Sequence, residues 1–275
     1  MVSIDNKKYY AYLNTSDNMC RWNIAKGIIY PAKSQASYIS FFLNSRLRKD
    51  KKFLELENKL ELVRRQLFPN KISRLTGLFV FDSQDEAKKA EKLDIKHFQN
   101  ALLSEMYPLY IQRENTRLDM NWITYHEKHK DSKWIEKYWN GEIYPNEEPI
   151  FETILNSPLI VGNLDLREAA YENIKRDGII KDEFIFRFSV YASMFGSNLG
   201  QMEFFIHKCG ACDIIKPIVN FPQEKAIRVY KLMEQYTPEY LSNIPIIEKE
   251  FYSPDLSEYE FCVTHHCKSS KCPKS

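Results

Sequence analysis

The sequence predicts an α+β fold, a mixed sheet with flanking helices, and three observations carry that prediction. Short strand-like and helix-like segments alternate as far as about residue 162, the pattern of a sheet faced by helices. Apolar residues make up 44% and charged residues 28% of the 275, values of a globular chain long enough for one large domain or two ordinary ones. Glycine is scarce, 8 of 275, and neither G-x-G-x-x-G nor G-x-x-x-x-G-K-[ST] occurs, so Rossmann and P-loop cradles are disfavoured. The expected division is a main domain over 1–163 and a C-terminal α+β extension over 164–275 with a Cys/His-rich tail. No linker-like composition marks that boundary.

Each element has a local signal. Residues 8–13, rich in Tyr, predict a first strand. The turn and cap cluster Asn14–Asp17 then starts a short helix over 18–26, stopped by Gly27. Apolar residues from Phe42 to Leu67 recur every three to four positions and predict one long helix over 38–67, ended by Pro69-Asn70. The basic run Arg46 to Lys52 on that helix, balanced by Glu55, Glu57 and Glu61, suits a solvated face better than a nucleic-acid contact. Residues 72–82 predict a buried strand, and Ser83 with Glu86 predicts a capped helix after it. Residues 105–113 predict a strand that Pro108 places at an edge or a start. A short helix over 131–140 ends at Gly141, and residues 150–161 predict two strand pieces around Asn156–Pro158. Beyond these lie a helix from Leu164 to Arg176, strands over 183–193 and 201–207, and an amphipathic helix over 222–236.

Net charge is 39 − 37 = +2, which names no partner and argues against an extended phosphate-tracking surface. No stretch approaches the ~20 apolar residues needed to span a bilayer, and Met1–Lys8 has no apolar signal core, so a cytoplasmic chain without membrane contact is expected. Of six cysteines, Cys20 stands alone and five lie after residue 208, unlike a disulfide framework spread through a fold.

Several segments form an ordered series: Leu62-Val-Arg-Arg-Gln-Leu-Phe-Pro69, Ser73-Arg-Leu-Thr-Gly-Leu-Phe-Val-Phe-Asp82, Asp85-Glu-Ala87, Asp119-Met-Asn-Trp122, Tyr138-Trp-Asn-Gly141 and Pro149-Ile-Phe-Glu152. Together they resemble a bacterial family of the ADP-ribosyltransferase-like fold. The resemblance implies NAD as substrate, cleavage of its nicotinamide–ribose bond and transfer of ADP-ribose to a macromolecule, protein or nucleic acid. It also implies a toxin or anti-phage defence effector, with a neutralising antitoxin as partner. That chemistry requires a carboxylate beside an oxocarbenium-like ribose, and the resemblance points to Glu152 as the catalytic residue. For the cofactor it points to Ser73 and Arg74 at the pyrophosphate and to Tyr12, Phe79, Phe81, Tyr138 and Trp139 as flat partners, with the Asp119/Trp122 pair fixing a loop. Better-known members of the fold carry His or Arg two residues before a Thr or Ser in the first strand. Here Leu13 precedes Thr15, so that role would pass to Tyr12, Asn14 or Arg74.

Two alternatives stand beside this. Gln201-Met-Glu203 places a second carboxylate on a strand with the Gln-x-Glu spacing of other ADP-ribosyltransferases, making Glu203 the rival catalytic position. Cys209 and Cys212, with His265, Cys262, Cys267 and Cys272, could hold a structural zinc. A non-catalytic interaction protein with a zinc-stapled C-terminal region is therefore the alternative function, and an NAD glycohydrolase without an acceptor a third.

Overall fold

The computed structural model describes residues 7–35, 37–93, 98, 101–110, 114–129, 131–177, 183–241 and 255–264. The opening elements follow their local signals. Strand β1 (Tyr9–Asn14) turns into helix α1 (Asn18–Lys26) where Asp17 accepts from the Met19 and Cys20 amides, and Gly27 ends the helix in the left-handed region. Two short strands follow, β2 (Ile28–Ile29) and β3 (Tyr38–Ile39). Next come α2 (Phe41–Lys49), α3 (Phe53–Leu67), β4 (Leu78–Val80) and α4 (Gln84–Glu91). Strands β5 (Ala101–Pro108) and β6 (Asn115–Asp119) lead to α5 (Asn121–Thr124) and α6 (Lys133–Asn140), the latter closed by Gly141. Strands β7 (Phe151–Leu155) and β8 (Leu159–Val161) precede α7 (Leu164–Arg176) and α8 (Glu183–Met194). The hairpin β9 (Gln201–Cys209) and β10 (Cys212–Asn220), helices α9 (Gln223–Tyr236) and α10 (Pro238–Leu241), and β11 (Phe261–Cys262) complete the described chain.

The architecture is α+β, but its sheets are antiparallel rather than mixed. The orders are β1-β5-β8-β2, β4-β7-β6 and β11-β10-β9-β3, and each strand pairing among the described residues is antiparallel. The first two sheets join through Tyr10 and Phe81, whose amides and carbonyls bond reciprocally at 2.9 and 2.7 Å. That bridge sets β1 beside β4 and brings Tyr12 toward the strand pair β4 and β7.

Four other expectations are corrected, each for a local reason. The single helix over 38–67 is a strand and two helices. Asp50 is extended and its carboxylate accepts from the Lys52 amide, an Asx-turn that competes with helix at the junction. The strand over 72–82 shrinks to 78–80, because residues 74–76 turn and Ser73 Oγ takes the Leu75 amide. Strand β5 begins at Ala101 and ends at Pro108, paired on both sides, so the proline closes an inner strand. Residues 183–194 are a helix: their aromatic and β-branched composition suggests a strand, yet Ile185, Phe186, Phe188, Ser189, Ala192 and Ser193 are buried at helical spacing. Strands β6 and β10 carry no expectation from the sequence analysis.

One hydrophobic core draws residues from both sides of position 163, including Trp22, Ile24, Leu43, Val161, Ala170, Phe188 and Phe204. Helix α1 is bound polar-wise to the start of β9. Trp22 Nε1 donates to the Gly200 carbonyl at 2.7 Å, and Asn23 exchanges two bonds with the Met202 backbone at 2.9 and 2.8 Å. Beside it the Lys26 ammonium is buried, lies 5.2 Å from the Tyr30 ring centre and has no hydrogen-bond partner among the described residues. Burial, and after it the charge of Lys225, lowers the Lys26 pKa to about 7.

The sign of the resulting pH dependence is fixed. With the folded pKa near 7 and the unfolded one near 10.5, unfolding takes up a proton in that window, so this residue adds stability as pH rises through it. The slope is at most about 1.4 kcal/mol per pH unit. Urea midpoints of wild type and Lys26→Met, compared from about pH 6 upward, should converge as pH rises, with the Met variant more stable at the acid end. A pH-independent difference would show that Lys26 keeps its charge in the fold.

Candidate functional site

The site is assembled from α2, α3, the turn before β4, α6 and β7. Helix α3 should present its charges outward, yet Glu57 lies on the apolar stripe between Leu54 and Leu60 and is only 1% exposed. The turn over 74–76 drops Arg74 into the same interior, also 1% exposed. Strand β7 lies between β4 and β6, so its side chains alternate between two faces, and Glu152 shares a face with Ile154. Helix α6 directs Tyr138 to that face.

These groups form one hydrogen-bonded cluster. Arg74 Nε donates to Glu57 Oε2 at 2.9 Å and its Nη2 to Glu57 Oε1 at 3.0 Å, a fork on a carboxylate. Its Nη1 donates to Glu152 Oε1 and to the Tyr138 hydroxyl. The Tyr138 hydroxyl itself donates to Glu152 Oε1 at 2.9 Å. Glu152 Oε2 takes no hydrogen bond from the described residues, and Glu152 lines a cavity. Burial works against the Arg74 charge, but the Glu152 and Glu57 carboxylates outweigh it and hold its pKa above the ordinary guanidinium value. Burial drives the Tyr138 hydroxyl well up, so it stays a donor.

The cavity holds about 60 Å³, and its walls include Tyr12, Arg46, Phe79, Phe81, Phe98 and Glu152. That is room for a few waters, at roughly 15 Å³ of such space each. Tyr12 packs against Phe98 with the rings tilted and their centres 4.7 Å apart, and is fixed by its hydroxyl on the Ala87 carbonyl and Glu91. Arg46 is the cavity's second guanidinium. It lies 3.5 Å over the Phe53 ring, approaches Glu57 at only 3.4 Å, and leaves its buried Nε without a partner among the described residues. Burial lowers its pKa to about 10, so it remains a cation at neutral pH.

The sequence-predicted site residues separate into two groups. Tyr12, Arg74, Phe79, Phe81 and Glu152 line the cavity, and Tyr138 supports Glu152 from behind. Ser73, Asp119 and Trp139 do other work. Ser73 Oγ donates to Glu61 at 2.7 Å, within a surface cluster that also holds Arg64 and Arg65. Asp119 accepts from the Asn121, Ile150 and Tyr144 amides and so fixes the chain leading into β7. Trp139 is core, its indole bonded to the Leu60 carbonyl. Arg74, expected as a pyrophosphate fork, has its donors occupied by Glu57, Glu152 and Tyr138. Leu13 is fully buried, so the first strand offers Tyr12 to the cavity in its place. Arg46 and Glu57 are the charged cavity residues missed, both expected on a solvated face. The available signal was a Glu at a stripe position, Leu54-x-x-Glu57-x-x-Leu60.

The rival Glu203 lies away from this cavity, on β9, in an ion pair with Lys33 at 2.7 Å. Burial raises its pKa, and the Lys33 contact offsets only part of that. Of the expected zinc set, two members lie on one hairpin. Cys209 and Cys212 face each other across the two-residue turn Gly210-Ala211 of the β9–β10 hairpin. Cys209 is a free thiol and Cys212 is disulfide-bonded, and a disulfide sulfur is not a thiolate ligand. Cys262 is buried in β11, while His265, Cys267 and Cys272 lie outside the described residues. Among the described residues no group of His, Cys, Asp and Glu is arranged to hold a metal, and no helix is long and apolar enough to cross a membrane.

The cluster makes a stability prediction. Glu57→Gln strips one carboxylate from a buried guanidinium and should destabilise by about 3–5 kcal/mol. In the double variant Arg74→Met/Glu57→Leu the loss should be smaller than the sum of the Arg74→Met and Glu57→Leu losses, because neither member of that pair is left facing the other's gap, while Glu152 loses its guanidinium equally in both Arg74 variants. Urea unfolding of wild type, Arg74→Met, Glu57→Leu and the double variant measures this, with Glu57→Gln beside them; additive losses would show that the pair does not act as a unit.

A model of a family described as proteins of unknown function (DUF2441) matches residues 42–163, somewhat under half of the chain. Arg46, Glu57, Arg74, Tyr138 and Glu152 fall inside that span, and Tyr12 and the β9–β10 hairpin fall outside it. No curated protein and no solved structure matches the chain.

Proposed function

We propose that the chain is an NAD-dependent ADP-ribosyltransferase that modifies a macromolecule, with Glu152 as its catalytic carboxylate. The observation carrying this reading is the state of Glu152. One oxygen is anchored by Arg74 and Tyr138, and the carboxylate lines an aromatic cavity with its other oxygen unbonded among the described residues. An anchored carboxylate of fixed charge is what a developing oxocarbenium needs, since it requires no reorganisation as charge appears. In this reading Glu152 Oε2 accepts from the ribose 2′-hydroxyl and faces C1′. The C1′–N bond breaks, nicotinamide leaves with the electron pair as a neutral base, and the acceptor nucleophile bonds to C1′ and gives up its proton. The aromatic walls supply flat partners for the pyridine ring. At about 60 Å³ the cavity is smaller than the ring it would take, so these side chains have to part on binding. Arg46, whose Nε has no partner among the described residues, is a freer guanidinium than Arg74, which holds Glu57, Glu152 and Tyr138.

A second reading, a nucleotide-binding protein without catalysis, is favoured by the buried Leu13 and the engaged Arg74, which remove two polar groups expected at a working site. One experiment separates the two. Wild-type protein incubated with labelled NAD and lysate should release nicotinamide and transfer label, and Glu152→Gln, assayed where circular dichroism shows it folded because it too strips a carboxylate from Arg74, should lose about 10²–10⁴ in rate while retaining NAD affinity. NAD binding without cleavage by wild type would favour the second reading. Full activity in Glu152→Gln with loss in Glu203→Gln would move the site to β9.

A further inference from the structure

A second recess lies apart from the cavity at Glu152 and shares no lining residue with it. It is a groove of about 450 Å³ between α7 and α8, closed at one end by the last turn of α1 at Ala25. Its walls are mainly apolar, from Leu164, Tyr171, Phe186, Val190 and Tyr191, and its charged members are Arg167, Glu168 and Arg187. Leu164 is 68% exposed although it begins a helix whose other face is core. Tyr171 stacks on Phe186 at 5.3 Å, and Phe186 meets Trp22 edge-on at 5.1 Å, so the aromatic wall is tied to the core.

Arg167 enters this groove from α7. Its guanidinium lies where a Cβ at Gly27 would stand, so the glycine's missing side chain makes its bed. Its Nε is buried and has no partner among the described residues, and burial alone lowers its pKa, with no carboxylate acting on it. Glu168 lines the groove but forms no ion pair with Arg167 among the described residues. Arg167 as a whole is half-buried, but an Nε–H shut off from water without an anion is costly, and unlike an ammonium a guanidinium cannot shed its proton. The carbonyl end of α1 nearby offers only about half a negative charge, and no formal anion.

We propose that this groove binds a small organic oxyanion, a carboxylate or phosphate ester carried on an aromatic ring, with Arg167 as its guanidinium fork. The cation, the apolar walls and a volume in the small-ligand range point to that class together. The inference stands independently of the reading of Glu152.

The test is calorimetric titration of the full chain with phenylacetate and with phenyl phosphate. Benzyl alcohol serves as ring without charge and inorganic phosphate as charge without ring. Saturable one-to-one binding of at least one ring-bearing anion is expected, with both controls much weaker, and the better of the two identifies the anion. Arg167→Met and the milder Arg167→Lys, which keeps charge but not the fork, should each weaken it by about tenfold or more. If the Met variant does not fold, the Lys variant decides. Absence of saturable binding to wild type would overturn the proposal. So would binding that survives the substitution, or a substitution that lowers thermal stability alone, as a mere cap on α1 would.

Discussion

A guanidinium enclosed in protein cannot become neutral, and much of the structure around the candidate site follows from keeping Arg74 charged. Two carboxylates from different elements are required, Glu57 from α3 and Glu152 from β7, and the Tyr138 hydroxyl from α6 completes the shell. The charge therefore ties together three elements that are remote in sequence. It also accounts for the turn before β4: a straight strand over 72–82 would alternate Arg74 with its neighbours between sheet faces and could not lower it onto α3. The broken hydrophobic pattern of α3 has the same cause, since Glu57 occupies an apolar position to meet Arg74.

That arrangement decides what the cavity can do. Arg74 holds Glu152 in one orientation, and through Tyr138 it does so with a donor that stays protonated. It acts as a strut and not as a hand for a ligand. The groups left facing the cavity are a carboxylate, a partly engaged Arg46 and a set of aromatic rings. Such a lining suits a ligand with a cationic ring at one end and an anionic linker further along, which is the charge pattern of NAD.

The sequence is most readable where structure is local. Asp17, Ser83, Gly27 and Gly141 act as caps and stops where their chemistry predicts, because a cap depends on a few neighbouring residues. It is least readable where tertiary packing overrules pattern. Residues 183–194 have strand composition but become helix, since their buried set fits a groove of helices and not a sheet. Cys209-Gly-Ala-Cys212 has metal-ligand spacing, but the same spacing serves a tight hairpin, and strand pairing claims it. At the site, Glu152, Arg74 and Tyr138 were visible only through an ordered series of short motifs. Arg46 and Glu57 were hidden because a charge run on a helix is ordinarily solvated, and nothing in the linear pattern shows that Arg74 needs Glu57.

Three cations, Arg74 and Lys26 fully buried and Arg167 half-buried, show how the type of charged group constrains what surrounds it. Arg74 is paired on both sides and its protonated form is reinforced. Lys26 has no partner among the described residues, and the fold accommodates it by driving its pKa down to about 7, so that it can sit as a neutral amine against Tyr30. Arg167 has neither remedy. Its pKa falls, but a guanidinium stays charged at any pH where the protein is folded. Each charged lone group is a local conflict in an otherwise consistent fold, and such conflicts concentrate at functional positions. Lysine resolves the conflict by titration and arginine can resolve it only with an anion. An arginine unpaired among the described residues beside an open apolar groove is therefore the stronger indication of a ligand, and a lysine unpaired among them beside a closed core the weaker one.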